Sequence, residues 1–339
     1  MGSTVRTQRR RVSLGLAAAS LGVIALRARD LGAQQRSPDD TVTFRAIGTP
    51  DLHGVTAAAV ERLASGIERS SQGRVKLAVE ADAVDTPAVI ESVRGGEATL
   101  GWVRLAEVAD LVPAVAALSV PFLFRDPQKA LAILDAAALG PLLNDQLRKQ
   151  GLEPLAYLNV GALRLAGDAP VALGSLAGQR ITARPGALRE VAFGALGLEL
   201  VPGVPVGGEA GATPLVELRT DDLAATGDAP GSRAVAEAPH AYDLVLFCAN
   251  RERFEKLLLA PDILEMLRTH AQEMGVWQRG GTAQVDAAAL AALRQQGAQL
   301  VGLPEEELRQ AHERVKMAVA EALSGADPSI VRTVLAYAD

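Results

Sequence analysis

Aromatic residues are scarce: two Trp, three Tyr and six Phe make up 3% of the 339 residues. A chain this poor in rings offers little as a stacking platform for bases or sugars. There is one cysteine, Cys248, so no internal disulfide can form; its setting, Val245-Leu246-Phe247-Cys248-Ala249, reads as that of a small buried thiol. The four histidines, His53, His240, His270 and His312, are scattered, with no HExxH and no Cys/His pairing, so no zinc site is indicated. There is no GxSxG elbow, no GxxxxGK loop and no GxGxxG, which leaves nucleophilic catalysis and nucleotide binding without support. Glu305-Glu306-Glu307, following Pro304, reads as a helix start whose acids complement the dipole rather than as a metal site. No enzyme and no cofactor is expected.

Charge is what the ends of the chain do have. The formal net charge is -6, yet residues 1–33 hold six arginines and one aspartate, so the remainder stands at -11. An acidic chain is a poor binder of nucleic acid, and none is expected as a partner. Arg6, Arg9, Arg10 and Arg11 precede the apolar run Leu14–Leu26. That run is too short for a membrane span of roughly 20 residues and reads as an export signal, ending near Leu31-Gly32-Ala33. The arginine cluster also fits the twin-arginine form of such a signal, and an uncleaved anchor is the alternative. Export together with a cysteine-poor chain suggests a bacterial periplasm.

From Val42 the pattern alternates between strand and helix. Val42–Ile47 alternates as a first strand. Val60, Leu63, Ala64 and Ile67 share a helix face, and Ser70-Ser71-Gln72-Gly73 ends that helix. Val75, Leu77 and Val79 mark a second strand; Pro87 opens the next helix and Gly95-Gly96 closes it. Ala98–Val103 is a third strand. The order predicts an α/β fold with a largely parallel sheet. Ligands of such sheets gather at the carboxyl ends of the strands, which makes the loop from Gly48 to Val55, with Asp51 and His53, a pocket wall. Further on, SVPFLFRD packs an apolar turn around Pro121, Phe122 and Phe124, ahead of helices over Pro127–Ala137 and Pro141–Gln150. Leu303–Leu323 reads as an amphipathic helix with Leu308, Val315 and Val319 on one face. Trp102 and Trp277 are read as core residues before ligand-stacking ones.

The stretch that organises the chain is Leu155–Pro185. It reads as a buried strand, a crossing point at Asn159-Val160-Gly161, and two short extended runs carrying Arg164 and Arg184. An arginine's planar fork grips a carboxylate through two parallel hydrogen bonds, so two converging arginines would form an anion site.

The ordered set VERLASGIERSSQGRVKLAV, VIESVRGGEATLGWV, ALSVPFLFRDPQKALAILD, GALR, SLAGQRI and HAYDLVLFCANRERFEKL resembles the DctP-like solute-binding proteins of TRAP transporters, from about Thr43 to about Leu323. The resemblance implies a type II periplasmic binding protein: two α/β domains, a central cleft, and a long helix, here Pro261 to about Gln296, spanning both. It places domain I at 34–160 plus 244–280, domain II at 161–243 plus 281–323, and a C-terminal tail at 324–339. It implies capture of a small organic acid and its delivery to the membrane subunits of a TRAP permease by a monomer. Gly280-Gly281 should weaken or kink the long helix, since glycine costs about 1 kcal/mol against alanine.

The resemblance also carries departures. The family arginine expected four residues after Gly178 is Thr182 here; Arg184, two further on, or Arg180, two before, is the candidate to replace it. Arg164 matches a second family arginine. Asp228 sits near an expected asparagine, where a carboxylate would repel a carboxylate ligand. The expected ligand-binding set is Arg164, Arg184, Thr182, Asp228 and His53. The departures leave a second account open, in which the ligand is not a carboxylate or the protein serves as a periplasmic sensor or interaction partner.

Overall fold

A computed structural model of the chain describes residues 41–48, 54–80, 85–124, 126, 128–135, 140–167, 171–203, 215–225, 234–256 and 261–339. The first half contains β1 (Val42–Gly48), α1 (Gly54–Ser70), β2 (Val75–Glu80), α2 (Thr86–Gly95), β3 (Leu100–Arg104), α3 (Pro113–Ala116), α4 (Gln128–Asp135), α5 (Gly140–Lys149) and β4 (Leu152–Gly167). Then come β5 (Arg180–Ala183), α6 (Ala187–Ala195), β6 (Glu199–Pro202), β7 (Leu215–Arg219), α7 (Thr220–Ala225), β8 (Ala234–Ala236) and β9 (Ala241–Asn250). The chain ends with α8 (Arg251–Lys256), α9 (Pro261–Gln295), β10 (Gln299–Val301), α10 (Glu305–Ala322) and α11 (Pro328–Tyr337). The expected export signal lies outside the described residues.

Among the described residues ten strands form one sheet in the order β2-β1-β3-β9-β4-β7-β5-β6, with β8 pairing β4 and β10. β1 and β3 are parallel, as are β7, β5 and β6. β4 and β9 lie antiparallel to each other between these groups, and β9 also runs antiparallel to β3. Both are buried along nearly their whole length, which explains why they read as continuous apolar runs rather than alternating ones. The expected domain limits at 160/161, 243/244 and 280/281 fall inside β4, β9 and α9 respectively.

Helix ends follow the local chemistry. α1 buries Ala59, Val60, Leu63 and Ile67 on one face and stops where Gln72 and Gly73 turn left-handed, with the Gly73 N–H donating to the Glu68 carbonyl at 2.8 Å. α2 is capped by Asp85, whose side chain accepts from Ala88 N–H at 2.9 Å, and is closed by left-handed Gly96. The SVPFLF turn is buried. Phe122 adopts φ 57°, donates its N–H to the His240 carbonyl at 3.0 Å and stacks on the His240 ring at 4.7 Å. His312, on the buried face of α10 with Val315 and Val319, meets the Leu123 carbonyl of the same turn at 2.8 Å.

One expectation is corrected. Residues 159–161 do not end a strand: β4 continues to Gly167 and carries Arg164 within it, with a bulge between Asn159 and Gly161. The irregular backbone is satisfied from α9. Gln278 Nε2 donates to the Asn159 carbonyl at 2.7 Å, and Gln278 Oε1 accepts from the Asn159 N–H at 3.0 Å. Gly161 has no alternative there, because a Cβ would lie 2.8 Å from Arg219 Cδ. α9 runs through Gly280-Gly281 as one helix of 35 residues, or about 52 Å. Gly281 permits close packing instead: a Cβ there would meet Val55 Cγ1 of α1 at 2.7 Å.

Candidate functional site

The carboxyl end of β3, the first turn of α2, the start of β9 and the residue after β5 bring a set of charges together. Arg104 ends β3 and forms an ion pair with Asp243 of β9, with side chains only 2% and 6% exposed. Arg184 follows β5, and its Nε lies 4.0 Å from Asp243 Oδ2; at 19% it is the more exposed guanidinium of the two. Burial pushes the Asp243 carboxyl up, but the charges of Arg104, Arg184 and Arg219 outweigh it and hold it below the usual range. Glu107 lies within reach of the same charges. Burial raises its pKa, against the opposing pull of a hydrogen bond to Thr86 and of Arg104 and Arg184.

A second, wholly buried group braces the first. Arg189 of α6 pairs with Glu217 of β7, donates through Nε to the Arg184 carbonyl at 3.2 Å and through Nη1 to the Ser119 carbonyl at 3.3 Å. Arg189 thus holds the backbone from which Arg184 projects. Burial lowers Arg189 to about 10. His240 Nε2 lies 2.7 Å from Glu217 Oε1, and burial together with the charges of Arg189 and Arg164 lowers the imidazole to about 3. The ring is therefore neutral, and Nε2 carries the proton it donates to the Arg189-paired carboxylate.

On the α9 side, Arg219 of β7 grips Asp222 with two bonds, Nε to Oδ2 at 2.8 Å and Nη2 to Oδ1 at 2.9 Å. Burial works to lower the Arg219 pKa, but Asp222 and Asp221 more than offset it, and the net shift is upward. Arg219, Gly161, Thr56, Thr282, Asp221 and Asp286 line a slot of about 60 Å3. Arg219 therefore belongs both to this slot and to the charges acting on Asp243.

Three of the five expected residues, Arg164, Arg184 and Thr182, lie among the described ones. Arg164 is buried and its guanidinium is engaged three ways: Nε to Thr220 Oγ1 at 2.8 Å, Nη1 to the Glu237 carbonyl, and Nη2 to Asp286 Oδ2 at 3.0 Å. It reaches the slot through Asp286, which lines it. Arg164 and Arg184 are set against different carboxylates, Asp286 and Asp243. Thr182 is half-buried in β5, between Val201 of β6 and Val216 of β7, and Arg180 is exposed at the strand's start. Asp228 and His53 lie outside the described residues. Trp102 is core, whereas Trp277 is 43% exposed beneath Arg62 at 5.8 Å. Sequence reasoning passed over Arg104, Glu107, Arg189, Glu217, Arg219 and Asp243. For four of them the signal was charge inside an apolar strand, Arg104 in LGWVR, Glu217 and Arg219 in LVELR and Asp243 in AYDLVLF; Glu107 and Arg189 lie outside the strands.

Residues 47–202 match the DctP family, described as bacterial extracellular solute-binding protein, family 7. The 2,3-diketo-L-gulonate-binding periplasmic protein YiaO of Escherichia coli is 28% identical over 231 residues, 63% of this chain and 66% of that protein. The TRAP periplasmic solute-binding protein of Roseobacter denitrificans with bound β-D-glucuronate superposes with a TM-score of 0.75 at 22% identity, covering 87% of this chain and 99% of that one. The sugar acid binding protein of Advenella mimigardefordensis in complex with galactonate gives 0.76 at 21% identity, covering 88% and 98%. The chain thus has the type II periplasmic binding protein fold of these TRAP solute-binding proteins, and its residues 47–202 match the DctP family model.

Proposed function

We propose that this protein is exported to the periplasm, where it captures a small organic acid between two lobes and delivers it to the membrane subunits of a TRAP permease. In this proposal the lobes are 34–160 with 244–280 and 161–243 with 281–323. The chain crosses between them along β4 and β9 and again along α9. The observation that carries the reading is the convergence of three guanidinium groups on Asp243. Arg104, Arg184 and Arg219 all act on one carboxylate, while Glu107 is shifted toward its neutral form. Such a group attracts a further carboxylate, and the partly exposed Arg184 is the one able to turn its fork to it. Thr182, on β5, lies two residues before Arg184, and Arg164 reaches the slot beside Arg219 through Asp286.

The solute is a carboxylate, with hydroxylated sugar acids first among the candidates because one relative is named for 2,3-diketo-L-gulonate and two others hold glucuronate and galactonate. The protein binds and does not catalyse. Thermal melting against a panel of sugar acids tests the reading. A bound acid at a hundredfold excess over its dissociation constant should add about 2.7 kcal/mol. A panel in which no acid shifts the transition would overturn it.

A further inference from the structure

We propose that one face of the protein is a docking surface for an acidic segment of a protein partner, seated on five arginines that converge at the start of β4. Glu153 of β4 is 1% exposed, and its carboxylate takes hydrogen bonds from three guanidiniums. Arg148 of α5 donates through Nε at 3.1 Å, Arg268 of α9 through Nη2 at 3.4 Å, and Arg251 of α8 through Nη1. Two more arginines, Arg94 and Arg253, stand beside these without an ion pair among the described residues. Arg94 of α2 lies over Gly151, whose carbonyl accepts the Arg251 N–H at 3.0 Å. Arg253 of α8 lies over Gly96, its Nε 3.1 Å from where a Cβ would stand. Asn250, the last residue of β9, ties these backbones together: Nδ2 donates to the Val93 and Arg94 carbonyls at 2.6 and 3.1 Å, and Oδ1 accepts the Arg253 N–H at 2.7 Å. None of the five is an arginine that acts on Asp243.

One arginine suffices to neutralise a buried carboxylate. Here five guanidiniums gather around the two carboxylates bonded to them, Glu153 and Glu255, the latter paired with Arg251 at 2.7 Å. Arg94, Arg148 and Arg253 also stand in the last turns of their helices, where a cation answers the dipole, but that role asks for no convergence. The forks are held in place yet open to solvent: Arg148 and Arg251 are each 33% exposed, Arg268 is 43% exposed, and Arg94 and Arg253 are exposed. Guanidiniums fixed in this way lose little freedom on gripping a further carboxylate. Because the chain as a whole is acidic, an acidic partner is repelled elsewhere and steered to this face. A groove of about 830 Å3 runs from the arginines along α2, which suits a protein segment rather than a flat anionic bilayer. Arg94, Lys149 and Gly151 line its near end, and Pro87, Ile90 and Leu111 give it apolar walls. Glu107 and Asp110 stand at the far end, where Glu107 bonds Thr86 at the start of α2. Those acids, with Glu91 on the α2 wall, confine the partner's own carboxylates to the arginine end. The segment is thus acidic at one end and uncharged along the rest, about four extended residues over the roughly 12 Å from Pro87 to Gly95.

The test uses the full chain and a fluorescein-labelled peptide of three glutamates followed by three alanines, read by anisotropy at low salt. The peptide should bind saturably and weaken as salt rises, and the same peptide with glutamine in place of glutamate should not bind. Arg94→Glu together with Arg253→Glu should weaken the acidic peptide about tenfold or more, with the melting temperature little changed because neither arginine is ion-paired. Arg94→Gln with Arg253→Gln is the milder pair that serves the same end should the reversal fail to fold. Arg314→Glu with Arg332→Glu, on α10 and α11, makes the same change in net charge and should leave the peptide's affinity as it was. Phosphatidylglycerol vesicles should not retain the protein on sedimentation. No saturable binding of the acidic peptide, equal binding of the glutamine peptide, or equal losses from the two charge reversals would overturn the surface. Retention by the vesicles that the Arg94 and Arg253 reversal abolishes would give the arginines to a membrane and overturn it too.

Discussion

Gln278 of α9 satisfies both backbone groups of Asn159, 119 residues earlier, at the bulge of β4. Its amide nitrogen also reaches Thr56 Oγ1 at 2.9 Å and Thr282 Oγ1 at 3.0 Å, so one wholly buried side chain joins β4, α1 and α9. Gln278→Leu would strand a buried N–H and a buried C=O. The expected loss is about 2–4 kcal/mol by urea unfolding, since each unpaired group costs about 1–3 kcal/mol. A loss below about 0.5 kcal/mol would mean that the bulge is satisfied some other way.

The paired glycines of α9 should respond in opposite directions. Gly280 is exposed and a Cβ there meets nothing within 4 Å, so Gly280→Ala should stabilise by up to about 1 kcal/mol. Gly281→Ala places a methyl group against Val55 and should destabilise. Chemical denaturation of the two variants reads both signs directly.

Much of this scaffold is legible in the sequence, because a 3.6-residue period, a capping Asp85 or a terminal Gly73 is a local signal. The sites where α9 meets the sheet are not local. Asn159–Gly161 stands out as unusual in the sequence, but its nature depends on Gln278. Gly281 looks like a weak point until Val55 is found against it. Arg164 stands out too, yet its setting depends on Asp286, 122 residues on. The charges around Asp243 arrive from β3, β5 and β7, and no spacing rule links them.

Buried His240 makes stability depend on pH. Its folded pKa of about 3 lies below the unfolded value of about 6.5, so between these the unfolded chain binds the extra proton. The His240 contribution is complete above pH 6.5 and falls as pH drops toward 3, by about 1.4 kcal/mol per unit. Between pH 7 and pH 5 the native chain should lose about 2 kcal/mol more than His240→Gln. Equal losses in the two proteins would contradict a neutral buried imidazole.

Cys248 lies at 0% exposure in β9, and burial pushes its thiol up to about 12. The native protein should therefore leave Ellman's reagent unreacted at pH 8 and release one equivalent after unfolding in guanidinium chloride. Rapid reaction of the native protein would show that β9 opens readily.

In the proposed function Arg184 is the guanidinium that meets the solute. Calorimetric titration of D-glucuronate, D-galacturonate and galactonate into the native protein, Arg184→Ala and Arg184→Lys measures that role directly. At least one acid should bind the native chain, with affinity falling about a hundredfold or more in Arg184→Ala, only partly restored by lysine, and the ligand-free melting temperature nearly unchanged. An acid that binds Arg184→Ala as tightly as it binds the native chain would contradict the account.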